Sequence, residues 1–180
     1  MDSKRHPAGD SIGYMRQGAE LIRSLDDDLF TRGTGGRFRG GVGSQFRHCI
    51  DFYECMLRGF ELEEQVDYTA RLREARLETD REYAAERLDQ IAGRLEAIDP
   101  DVLDRRVQVR TETPVPGIPD WCGSTIHREI QFLLSHTVHH YALIVALLGR
   151  LGYELAPHQV DFGVAPSTLA HWKEADPLAG

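Results

Sequence analysis

The sequence predicts an all-α protein, a four-helix bundle with long loops and a short irregular or β-like insert before its last helix. Three observations predict it. Apolar residues recur at three- and four-residue steps in four separate segments, glycine and proline clusters separate those segments, and strict two-residue alternation is weak everywhere.

The first helix is expected over about residues 11–30, with Ile12, Met15, Ala19, Ile22, Leu25 and Leu29 on one face. Glycines at 33, 35, 36, 40, 41 and 43 end it. No strand precedes this loop and no Gly-Lys-Ser/Thr closes it, so it reads as a connector and not a phosphate cradle. The second helix, 44–60, takes Ser44 as its cap and carries Phe46, Ile50, Tyr53, Leu57 and Phe60. The charged stretch 61–78 reads as irregular or as a solvated extension. Thr79 with Glu82 three residues later resembles a capping box and opens a third helix to 98, which Asp99-Pro100 stops. Between 102 and 119, Val107 and Val109 alternate before Pro114, Pro116 and Pro119, so a hairpin or extended linker fits and a central strand does not. The fourth helix, 124–148, is apolar almost all round in its second half, which predicts burial on several sides and a homodimer contact. A tail, 153–180, follows. No repeat or internal boundary divides the chain, so residues 1–180 read as one domain.

Composition bounds the function. The 180 residues (20.3 kDa) are 41% hydrophobic and 28% charged, enough for a core without a staple. A net charge of −8 and a pI near 5.5 repel phosphate backbones, which argues against nucleic acid as a partner. Cys49, Cys55 and Cys122 are odd in number and lack zinc-ribbon or thioredoxin spacing, as expected of reduced thiols in a cytoplasmic protein. Each reads as a small hydrophobe. The N-terminus leads into no apolar signal core, and the longest strongly apolar run, 141–148, is short for a bilayer, so no membrane partner is expected.

The chemistry concentrates in Ser135-His136-Thr137-Val138-His139-His140. His136 and His140 lie about 40° apart around a helix axis and about 6 Å apart along it, so both imidazoles can meet one ion. His139 falls about 60° to the other side of His136 and is the weaker candidate, suited to packing or a hydrogen bond. A third ligand must come from another helix, and His48, beside Phe46 and Ile50, is the best donor. His127 sits about 13 Å along the axis from His136 on the far face. His6, His158 and His171 are in terminal or loop segments. Three imidazoles leave a coordination position open, the pattern of a catalytic site. All-nitrogen ligation suits zinc, nickel or iron. Glu129, two turns before His136, and Asp51, one turn after His48, are candidates to orient an imidazole or move a proton. Trp121 and Asp161-Phe162-Gly163 are candidate lids, with ordinary packing the plainer role.

Gly43-Ser44-Gln45-Phe46-Arg47-His48, followed much later by His136-x-x-x-His140, resembles the DinB/YfiT-like metalloenzyme family over most of the chain. The resemblance implies an up-down-down-up bundle and one divalent metal on His48, His136 and His140. It also implies a small-molecule substrate, such as a low-molecular-weight thiol, and a thiol S-transferase or hydrolase type of reaction. Where many relatives continue with Arg-Gly-Gln, this chain has Tyr141-Ala142-Leu143, and Ala142 stands where the ergothioneine-synthesis relatives carry Glu. A non-catalytic, metal-binding stress-response bundle is the alternative.

Overall fold

The computed structural model describes residues 6, 8–33, 40–62, 65–111, 117 and 119–175. The chain is mostly helical. Among the described residues the elements run α1 (Gly9–Ser24), α2 (Asp27–Thr31), α3 (Val42–Leu62), β1 (Gln65–Asp67), α4 (Arg76–Thr79), α5 (Arg81–Glu96), β2 (Arg106–Arg110), β3 (Trp121–Thr125), α6 (Ile126–Arg150) and α7 (Pro166–Ala175). The four longest helices pack α1 on α5, α5 on α3, α3 on α6 and α6 on α1.

Helix boundaries follow local capping chemistry more closely than apolar periodicity. The expected helix 11–30 is two helices, because Leu25 turns extended and Asp26 accepts a hydrogen bond from Leu29 N at 2.7 Å, capping α2. The expected helix 79–98 is α5, Arg81–Glu96, and Thr79 instead ends the preceding short helix α4. Asp80, not Thr79, caps α5 by accepting from Tyr83 N at 3.0 Å, while Thr79 donates back to Ala75 O. Ser44 is no N-cap either: α3 begins at Val42, and Ser44 Oγ donates to Gly41 O at 2.8 Å. Thr125 caps α6 through Arg128 N at 3.2 Å. Each such cap contributes about 1 kcal/mol. Most of the glycine loop, and Pro114 and Pro116, lie outside the described residues.

The region before α6 corrects the expectation further. β2 is the central strand of a three-stranded sheet ordered β1-β2-β3. It runs parallel to β1, with Val66 opposite Val109, and antiparallel to β3, with Val109 opposite Cys122. Val66, Val107 and Val109 turn their side chains to the core. β1 and α4 both fall in the stretch expected to be irregular. β1 pairs with a strand more than forty residues away, and α4 is a single turn packed on α3 and α2 as well as on its neighbour α5, so no local period reveals them.

α6 is buried at Ile126, Glu129, Ile130, Leu133, Thr137, Tyr141, Ile144, Leu147 and Leu148. Its second half is one-sided within this chain, because Ala142 and Ala146 are exposed. By length and composition alone α6 is apolar enough to cross a membrane. In the fold it packs on α3 and α1. Tyr141 Oη donates to Tyr14 O at 3.0 Å, and the Phe162 ring stacks on Tyr141 at 4.4 Å, so the tail segment packs into the core instead of forming a lid.

Candidate metal centre

His48 projects from the second turn of α3, and His136 and His140 from consecutive turns of α6. Because α3 packs on α6, the three imidazoles meet at the flank of the helix pair, each half-buried. Their ligand nitrogens all lie within 4.8 Å of one another. His136 Nε2 is 3.2 Å from His48 Nε2 and also 3.2 Å from His140 Nε2.

Hydrogen bonding among the rings does not account for that convergence. A ring nitrogen carries either one proton or one lone pair, so His136 Nε2 cannot make a good bond to both neighbours. A cation facing three lone pairs satisfies all of them. Two nitrogens bound at ~2.0 Å with a tetrahedral angle stand roughly 3.3 Å apart, close to the separations seen here.

The surroundings prepare the rings for ligation. Gln45 Oε1 accepts from His140 Nδ1 at 2.8 Å, which assigns the proton to Nδ1 and leaves the Nε2 lone pair facing the other rings. His136 Nδ1 is buried without a hydrogen-bond partner among the described residues. With its proton on Nδ1 and its Nε2 lone pair facing inward, this ring forgoes about 1–3 kcal/mol of satisfied polarity. Burial first, then the charges of His139 and Arg71, pushes the His136 imidazole down to about 4. Burial, then His48, His136 and His139, pushes His140 down to about 3. Both rings are therefore neutral near pH 7, the form that binds metals.

Two aromatic rings shield the cluster. The Phe52 centroid lies 4.8 Å from that of His48 and 4.5 Å from that of His136. Phe132 lies 5.8 Å from His136 at an interplanar angle of 17°. Each phenylalanine is one turn from a histidine on its own helix. Helical spacing from the histidines marks both phenylalanines, which the sequence motifs do not include, whereas Gln45, three residues before His48, is part of the motif that ends at His48, without an assigned role there.

The other candidates stand apart from the three rings. His139 is exposed, its ring edge-on to His140 at 5.3 Å, outside the converging nitrogens. Asp51 is buried and faces Arg47, Arg71 and Arg73; burial raises its carboxyl above the ordinary range, against the lowering effect of a backbone hydrogen bond from Arg73 and of these arginines. Glu129 is buried and accepts from Tyr68 and Ser124 instead of from an imidazole. Trp121 lines a different cleft, with Cys55 and Arg58. Cys49 and Cys55 are buried free thiols, as expected, whereas Cys122 is exposed on β3.

Comparison with known proteins bears on the family and the fold. The model of the DinB family matches residues 15–168. A DinB-like protein of Bacillus subtilis, YjoA, has a similar solved structure, with a TM-score of 0.61 at 14% identity, covering 84% of this chain and 94% of that one. At that identity the likeness concerns the fold alone. The chain is also 32% identical over 110 residues to FK506-binding protein 5 of Rhizopus delemar, a match of 61% of this chain and 28% of that protein. The chain thus spans little more than a quarter of that relative's length.

Proposed function

Because the chain belongs to the DinB family, we propose that it is a metal-dependent enzyme acting on a small molecule, with one divalent ion held by His48, His136 and His140. The observation that carries this reading is the approach of His136 Nε2 to 3.2 Å from both neighbouring Nε2 atoms. Zinc, nickel and iron suit an all-imidazole site. Bound there, the ion would supply Lewis acidity, lowering the pKa of a bound water or holding a thiol as thiolate.

The chain's own residues do the rest. Gln45 fixes the His140 tautomer, burial keeps His136 and His140 unprotonated, and Phe52 and Phe132 keep bulk water off one side of the rings. Three protein ligands leave room for a substrate atom. The open position suits a thiol S-transferase or hydrolase type of reaction, and the family resemblance makes a low-molecular-weight thiol the favoured substrate. The same reading has the protein cytoplasmic and homodimeric, its helices in up-down-down-up order.

Elemental analysis of protein purified without an affinity tag tests the proposal. About one equivalent of a transition metal, lost in His48→Ala, is the expected result; stoichiometric metal retained in that variant would overturn it. A second reading, a metal-binding bundle without catalysis, is favoured by the position after His140. Tyr141 there is a core residue bonded to Tyr14 O and offers no polar group to a substrate. Metal that raises the melting temperature while no thiol or electrophile is turned over would select it.

A further inference from the structure

Glu129 lies on nearly the same face of α6 as His136, about 10 Å along the axis. Its side chain is buried, at 5% exposure. Two hydroxyls donate to it, Tyr68 Oη at 2.8 Å and Ser124 Oγ at 2.5 Å. Burial and the charge of Glu129 raise the Tyr68 phenol far above its ordinary range, so Tyr68 stays protonated and remains the donor. Hydroxyls satisfy a carboxylate without neutralising it, and among the described residues Glu129 has no ion pair. A buried anion without a counter-charge is costly, and a cation that reaches it gains correspondingly.

The carboxylate lines a cleft of about 370 Å³ with Val109, Cys122, Arg128 and Phe132. Phe132 is also the ring that stacks on His136, so one wall of the cleft runs directly into the three-histidine centre. Arg128 is exposed, where water and salt screen it, whereas the Glu129 charge is buried and less screened. The floor of the cleft is therefore negative and its wall aromatic.

We propose that this cleft binds a small ammonium-bearing compound, its cation against Glu129 and its apolar or aromatic body along Val109 and Phe132 toward the histidines. The volume suits a compound of that size. This inference rests on the metal-enzyme reading only in making the compound a substrate; the binding itself requires no metal.

Cys122 lines the cleft and is the exposed one of the three cysteines, so its alkylation by monobromobimane reports occupancy. In chelator-treated protein, millimolar phenethylammonium should slow Cys122 labelling about fivefold, as expected at several times the dissociation constant, while 3-phenylpropionate leaves it unchanged. Glu129→Gln, checked for folding by circular dichroism, should abolish the protection. Equal protection by the two compounds, none by the cation, or undiminished protection in Glu129→Gln would overturn the proposal. If that variant does not fold, the comparison of cation with anion on the unaltered protein decides alone. Protection by the cation in a protein that never retains metal would leave the cleft standing and sink only the metal reading.

Discussion

Gln45 Oε1 stands 2.8 Å from His140 Nδ1, joining the first turn of α3 to the middle of α6. The amide accepts the one proton that would otherwise compete for the metal-facing nitrogen. Gln45→Leu should leave the fold intact and weaken metal binding about 10–100-fold, the usual cost of removing a partner that orients a ligand. Competition titration with a chromophoric chelator reads this directly.

Alanine at His48, His136 or His140 should each bring metal content well below one equivalent, whereas His139→Ala should keep it. The exposed His139 ring is outside the set of nitrogens that converge. Equal loss in all four variants would mean that a different set of histidines holds the ion.

Metal-free protein should lose stability as pH falls from 6.5 toward about 4 and 3. In the unfolded chain both imidazoles take up protons near 6.5, but the folded state holds His136 neutral to about 4 and His140 to about 3. The unfolded state therefore binds more protons in that window, so acidification favours it, and the loss levels off below about 3. Melting temperatures against pH should fall less steeply in the His136→Gln, His140→Gln double variant than in the unaltered chain.

Gly59 marks where α3 passes β1. A Cβ there would stand 2.4 Å from Gln65 O, which is backbone and cannot rotate aside. Gly59→Ala should cost about 1–3 kcal/mol through forced separation of helix and strand, seen as a lower denaturation midpoint with metal content retained under native conditions.

By itself the sequence determined what helical spacing determines. His136 and His140 share a face because a helix repeats every 3.6 residues, and the same rule separates His139 from them. Which residues complete the site depended on tertiary contacts. Packing of α3 on α6 brings His48 and Gln45 to the pair and inserts Phe52 beside both rings. Glu129 reads in sequence as a candidate to orient an imidazole or move a proton. Only the sheet, whose β1 is three residues long and pairs with a strand more than forty residues away, places the Tyr68 and Ser124 hydroxyls on it. Local periodicity acts over one or two turns of chain, whereas these contacts join segments that approach each other only when the apolar faces of the helices and the sheet are buried together.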